Sequence, residues 1–141
     1  MSDQPGHYWR GPIQSAEHAE KIVGLTAGGF TVFAGLDALT LLNKASVATV
    51  LSVIVLAVPA LALLRTRGIV AARVLLGLSI FAAVLAVCAA IYDGAITGTP
   101  NIGVFFMLAV SLLWTAVSFA CARACKAAKY LSSAPAAIAA A

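Results

Sequence analysis

Few residues in this sequence are equipped for chemistry, and Asp37 stands out as an acid well inside an apolar stretch. A carboxylate facing lipid costs about 2.5–3.5 kcal/mol on insertion scales, so its presence marks a polar contact or a functional site. Counted from Ile22 at about 1.5 Å per residue, Asp37 sits roughly 22 Å along its helix, near the far interface of a bilayer. Arg73, the matching intramembrane cation, falls early in a later apolar stretch, close to the opposite surface. The two differ in depth by roughly 16 Å, too far for a direct ion pair. Lys44 follows Asp37 on nearly the same face and would reach it only through a water or a lean of both chains. Two readings of Asp37 stay open. It either snorkels to the surface or accepts a hydroxyl such as that of Tyr92, or it forms a proton or cation site.

Cysteine and histidine offer less. Cys121 and Cys125 share one helix face and could join a metal site with His7 or His18, but four ligands at a recognised spacing are absent. Cys88 lies toward the other membrane side. No histidine falls in an apolar stretch, which removes the usual axial ligand of a transmembrane haem. Phosphate-binding glycine loops, zinc-protease pairs and nucleophile elbows are missing as well. With no nucleophile paired to a base, the expectation is a protein that is not an enzyme and carries no metal or cofactor.

The elements that must hold these residues follow from composition. Of 141 residues, 62% are hydrophobic and 10% charged, with mean hydropathy +1.03; a soluble domain is about half apolar and about a quarter charged. Such a chain is not disordered, and three cysteines are too few for a disulfide-stapled secreted domain. Four stretches reach the roughly 20 apolar residues that cross a bilayer, at about 22–42, 45–64, 69–92 and 102–122. Short links make consecutive helices antiparallel neighbours, and the weak alternating pattern of a closed barrel is absent. The expected fold is all-α, an antiparallel four-transmembrane-helix bundle over residues 16–131. A polar segment, 1–15, precedes it and an Ala-rich tail, 132–141, follows. Asp3, Glu17 and Glu20 before the first span are unlike the basic start of a cleaved signal, so that span is expected to stay.

Cytoplasmic loops of membrane proteins are enriched in Lys and Arg. With four spans, one side collects Arg10, Lys21, Arg65, Arg67, Arg73, Arg123, Lys126 and Lys129, and the other collects Lys44. Both termini are therefore expected in the cytoplasm. Arg65, Arg67, Arg123, Lys126 and Lys129 would then rest on anionic lipid headgroups. On this reading the net charge of +4 serves the membrane surface and not nucleic acid. His7, Tyr8 and Trp9 with Arg10 suit the same headgroup level, and Ser15 reads as a helix cap with Glu17 in the first turn.

Small residues fall into stripes. In the first span Gly24, Gly28, Thr31 and Gly35 share one face, with a GxxxG pair that permits close helix approach, while Thr26, Phe30, Phe33 and Asp37 share the opposite one. If both avoid lipid, one meets the bundle and the other a second copy or another subunit; alternatively the glycines pack inside the bundle. The fourth span carries Ser111, Thr115, Ser118, Ala122 and Cys125 on one face, suited to close packing and interhelical hydrogen bonds. Trp114 beside them is expected inside a helix contact. Ser79, Ala83, Ala86 and Ala90 form a seam on the third, and Pro59 removes a hydrogen bond from the second.

The order of features resembles a loosely defined group of uncharacterised bacterial four-span proteins. The likeness covers about residues 16–131: Ala19-Glu20-Lys21 before span one, an acid like Asp37 near its outer end, the basic loop Arg65-Thr66-Arg67-Gly68-Ile69-Val70-Ala71-Ala72, and the closing run Arg123 to Leu131. That resemblance implies a bacterial inner-membrane location and no activity. Two functions are weighed. The first is an interaction or accessory protein that forms a homo-oligomer or joins a larger membrane complex through its small-residue faces. The second is a small proton- or cation-coupled transporter or channel using Asp37.

Overall fold

The computed structural model describes residues 11–40, 46–98 and 102–138, and among them all regular structure is helical. The helices are α1 (Ala16–Thr40), α2 (Val47–Thr66), α3 (Ile69–Thr97) and α4 (Ile102–Ile138). His7, Tyr8, Trp9, Arg10, Asn43 and Lys44 lie outside the described residues. α1 begins as its sequence requires: the Ser15 hydroxyl accepts from the His18 amide at 3.1 Å, satisfying one of the free donors of the first turn.

Two helices overrun the expected spans. α3 continues past Tyr92 to Thr97, where Gly98 takes a left-handed conformation (φ 66°) and donates its amide to the Gly94 carbonyl; glycine adopts this cap without a Cβ penalty. α4 continues past Ala122 through the basic run and into the Ala-rich tail. Hydropathy marks where an apolar stretch ends, but alanine favours helix on either side of that boundary.

The four helices form a ring in chain order. α1 packs on α2 and α4, and α3 packs on α2 and α4, with no diagonal contacts among the described residues. The broadest contact is α3 on α4 and the next α1 on α2, so the bundle is two antiparallel hairpins laid together. Their shared core gathers at one end: Ile22, Val23 and Phe30 of α1, Leu63 of α2, Leu75 of α3, and Cys121 with Ala124, Ala127 and Ala128 of α4. The alanines let α4 approach closely there.

The outside is greasy. Leu51, Ile54 and Val58 on α2, Phe81 and Ile91 on α3, and Leu112 and Phe119 on α4 are exposed. A soluble monomer rarely shows continuous apolar surface on this scale, whereas lipid tails are as apolar as leucine. Three helices are long and apolar enough to span a bilayer, and the described apolar run of α2 is the shorter Val50–Thr66. Pro59 lies inside α2, where a proline takes away a ladder hydrogen bond.

At the α2–α3 corner Arg67 has φ 49°, a left-handed conformation that costs a non-glycine residue about 1–2 kcal/mol. Three contacts hold it: its amide donates to the Leu63 carbonyl at 2.9 Å, its guanidinium pairs with Glu20 of α1, and the Gly68 amide bonds Thr66 Oγ1 at 3.2 Å.

Candidate functional site

Asp37 projects from the distal part of α1 toward α2. Ser52 Oγ donates to Asp37 Oδ2 at 2.6 Å, tying the two helices together. The hydroxyl beside Asp37 is therefore Ser52 and not Tyr92. Tyr92 is 70% exposed on α3, a helix that the ring order keeps away from α1. Arg73 lies exposed one turn into α3, where its charge is felt at Cys125 on α4, at the end of the bundle remote from Asp37.

The opposite stripes of α1 have different surroundings. Thr26 and Phe30 are buried, and Phe33 and Asp37 are half-buried. Trp114 of α4 closes this face, its ring 5.8 Å from that of Phe33 in a stacked arrangement and 6.3 Å from that of Phe30 at a tilt. The glycine stripe points the other way. A Cβ built on Gly24, Gly28 or Gly35 meets no atom within 4 Å. Thr31, between them, is exposed and turns its hydroxyl back to the Ala27 carbonyl. Packing of these glycines within the bundle, one of the two readings of the stripe, is not what the structure has.

The stripe on α4 is consumed mostly from within. Ser111 is buried, and Ser118 Oγ sits 3.0 Å from Ser79 Oγ of α3 and 2.9 Å from the Trp114 carbonyl. Its single proton serves one of the two at a time. Ser79 Oγ in turn donates to the Leu76 carbonyl. Thr115 departs from the pattern: it is exposed and bonds its own helix at the Ser111 carbonyl. Ala86 and Ala90 complete the α3 seam as buried residues, with Ala83 half-buried.

Charge separates along the bundle. At the end where α1 and α3 begin, Lys21, Arg65, Arg67, Arg73, Arg123, Lys126 and Lys129 accompany Glu17 and Glu20. Lys21 pairs with Glu17 at 3.1 Å and Arg67 with Glu20. The other end carries Asp37 and Asp93 and, among the described residues, no Lys or Arg.

Within the basic end Arg123 is half-buried and donates through Nη2 to the Gly11 carbonyl, while its Nε is shielded from water with no hydrogen-bond partner among the described residues. An unmatched donor of this kind costs about 1–3 kcal/mol, more on a charged group. Beside it a groove of about 460 Å³ is lined by Ala116, Phe119, Ala120, Ala122, Arg123 and Lys126. The Arg123–Gly11 contact is not legible in the sequence, because it depends on how the lead-in to α1 lies against α4. Cys121, also at this end, is buried. Among the described residues no three His, Cys, Asp or Glu side chains converge as metal ligands, and His7 lies outside them.

Comparison with known protein families, curated sequences and solved structures returned no match.

Proposed function

We propose that this chain is a small integral membrane protein that crosses the bilayer four times with both termini in the cytoplasm. It acts as an interaction or accessory subunit, packing against a second copy of itself or a larger membrane complex through the glycine face of α1. The bacterial inner membrane is its location on the resemblance of residues 16–131. The asymmetry of Lys and Arg supports the orientation, since basic loops stay on the cytoplasmic side. α2 makes the fourth crossing because its two neighbours leave it no other antiparallel place.

One observation supports the interaction reading above the rest. α1 buries Thr26 and Phe30 in its own bundle and leaves Gly24, Gly28 and Gly35 with empty space above them. Helices associate in lipid by van der Waals packing and backbone approach, which glycine permits and larger residues prevent. Purification in mild detergent followed by native mass spectrometry tests this: wild type retains a partner or a second copy, and Gly28→Leu loses it. Unchanged co-purification and oligomer size in that variant would defeat the proposal.

Asp37 carries the second reading, a proton- or cation-coupled pathway, favoured by a carboxylate held at a helix–helix contact. Flux in proteoliposomes that Asp37→Asn abolishes would establish it. Flux that the variant leaves intact, or none from wild type, removes it.

A further inference from the structure

The geometry points to the groove beside Arg123 as a binding site for one anionic phospholipid. The headgroup phosphate sits between Arg123 and Lys126, and an acyl chain runs along Ala116, Phe119 and Ala120. This rests on the membrane reading above and goes beyond it, because it separates one built site from the general attraction of a basic surface to an anionic leaflet.

Three features converge there. The lining is divided by depth: Ala116, Phe119 and Ala120 form an apolar wall, and Arg123 and Lys126 follow one and two turns later on the same face of α4. From Ala116 to Lys126 that face spans roughly 15 Å, enough for a phosphate and the upper part of an acyl chain. Arg123 is held in place through Nη2 by the Gly11 carbonyl, and its half-buried side chain forms part of the groove wall. Its planar fork suits a phosphate, which offers several acceptor oxygens at once. Among the described residues no carboxylate lines the groove and Lys126 forms no ion pair, so none of them cancels the two charges locally. Phe119 is 75% exposed, an apolar flank for a chain to cover. The position, where α4 leaves its apolar stretch, is the depth of a headgroup.

The test uses the full chain in nanodiscs of equal phosphatidylglycerol and phosphatidylcholine, read by native mass spectrometry. Wild type retains one phosphatidylglycerol per chain in preference to phosphatidylcholine. Each basic residue near the surface contributes about fivefold, so Arg123→Gln with Lys126→Gln lowers retention roughly 25-fold. Lys21→Gln with Arg73→Gln, cations of the same end carried by α1 and α3 and not lining the groove, changes it less than about twofold. Lys126→Gln alone keeps the test decisive if loss of the Arg123–Gly11 bond unfolds the first. Equal losses in both pairs would replace the site by diffuse attraction and overturn the proposal. Displacement of the lipid by millimolar inorganic phosphate would overturn it as well, leaving a phosphate site without a lipid. If the protein proved monodisperse in aqueous buffer without amphiphile, the membrane reading itself would fall, an outcome separate from either.

Discussion

Replacing Gly24 and Gly28 of α1 should move two properties in opposite directions, and the structure supplies the size of each. Glycine in a helix interior is less favourable than alanine by about 0.8–1.0 kcal/mol, through backbone entropy alone. No atom lies within 4 Å of the Cβ added at either position, so no steric cost offsets that gain. Gly24→Ala with Gly28→Ala should therefore stabilise the isolated chain, by up to about 2 kcal/mol if the sites act independently. Association should respond the other way. Where a second helix lies against the glycine face, leucine at Gly28 overpacks the contact. Overpacking costs about 1–3 kcal/mol, a roughly 5- to 150-fold weaker complex. Energy transfer between differently labelled copies in liposomes of increasing protein-to-lipid ratio measures self-association, and co-purification covers a heterologous partner. Denaturant unfolding in detergent followed by circular dichroism measures stability. A variant that is less stable than wild type would show the glycines to be packed within one chain. A variant with unaltered association by both measures would refute the interface.

Four further outcomes follow from named contacts. Ser52→Ala removes the hydrogen bond to Asp37 and should cost about 0.6–2 kcal/mol, between typical membrane and charged hydrogen bonds; Asp37→Asn keeps an acceptor and should cost less in the same unfolding assay. Trp114→Ala takes away the ring that closes α1 against α4 beside Phe30 and Phe33, and should cost about 3 kcal/mol, with Trp114→Phe well under half of that. Arg67→Gly relieves a left-handed residue by about 1 kcal/mol and loses a half-exposed ion pair worth about 0–1 kcal/mol. It should be neutral to stabilising, whereas Arg67→Val should destabilise, and the reverse order in urea titrations would contradict the corner geometry. Reporter fusions at Asn101 and at the C-terminus should report opposite sides of the membrane, and a cytoplasmic signal at Asn101 would reverse the orientation.

Much of the bundle was legible in residue order. Long apolar stretches separated by short links leave little alternative to antiparallel helices, the Ser15 cap follows from residue type before a helix start, and periodicity groups Thr26, Phe30, Phe33 and Asp37 on one face of α1. Residue order carries a further signal. In a hairpin of straight helices, residues equally far from the turn face each other. Asp37 and Ser52 stand seven before and eight after Lys44, and Ser79 and Ser118 stand 19 before and 20 after Gly98. The pairs that bridge α1 to α2 and α3 to α4 are these mirror positions. Reflection about each turn selects Ser52 over Tyr92 as the partner of Asp37.

Other features required the fold. Helical periodicity assigns the glycines and Asp37 to opposite faces of α1, but it does not say which face the bundle takes. That choice depends on where α2 and α4 sit, and Trp114 fills the Phe30–Phe33 side. Thr115 shares its spacing with Ser111 and Ser118 yet points away, because the rotation of α4 against α3 is set by the whole alanine-lined contact. The hydrogen bond from Arg123 to the Gly11 carbonyl joins residues more than 100 positions apart in the chain, and no local pattern records such a meeting. Residue order and composition thus determined the helices and their antiparallel sense, since each depends on residues close in sequence or on totals. Which surfaces are covered and which left bare came from packing between helices, a property of distances that the linear order does not contain.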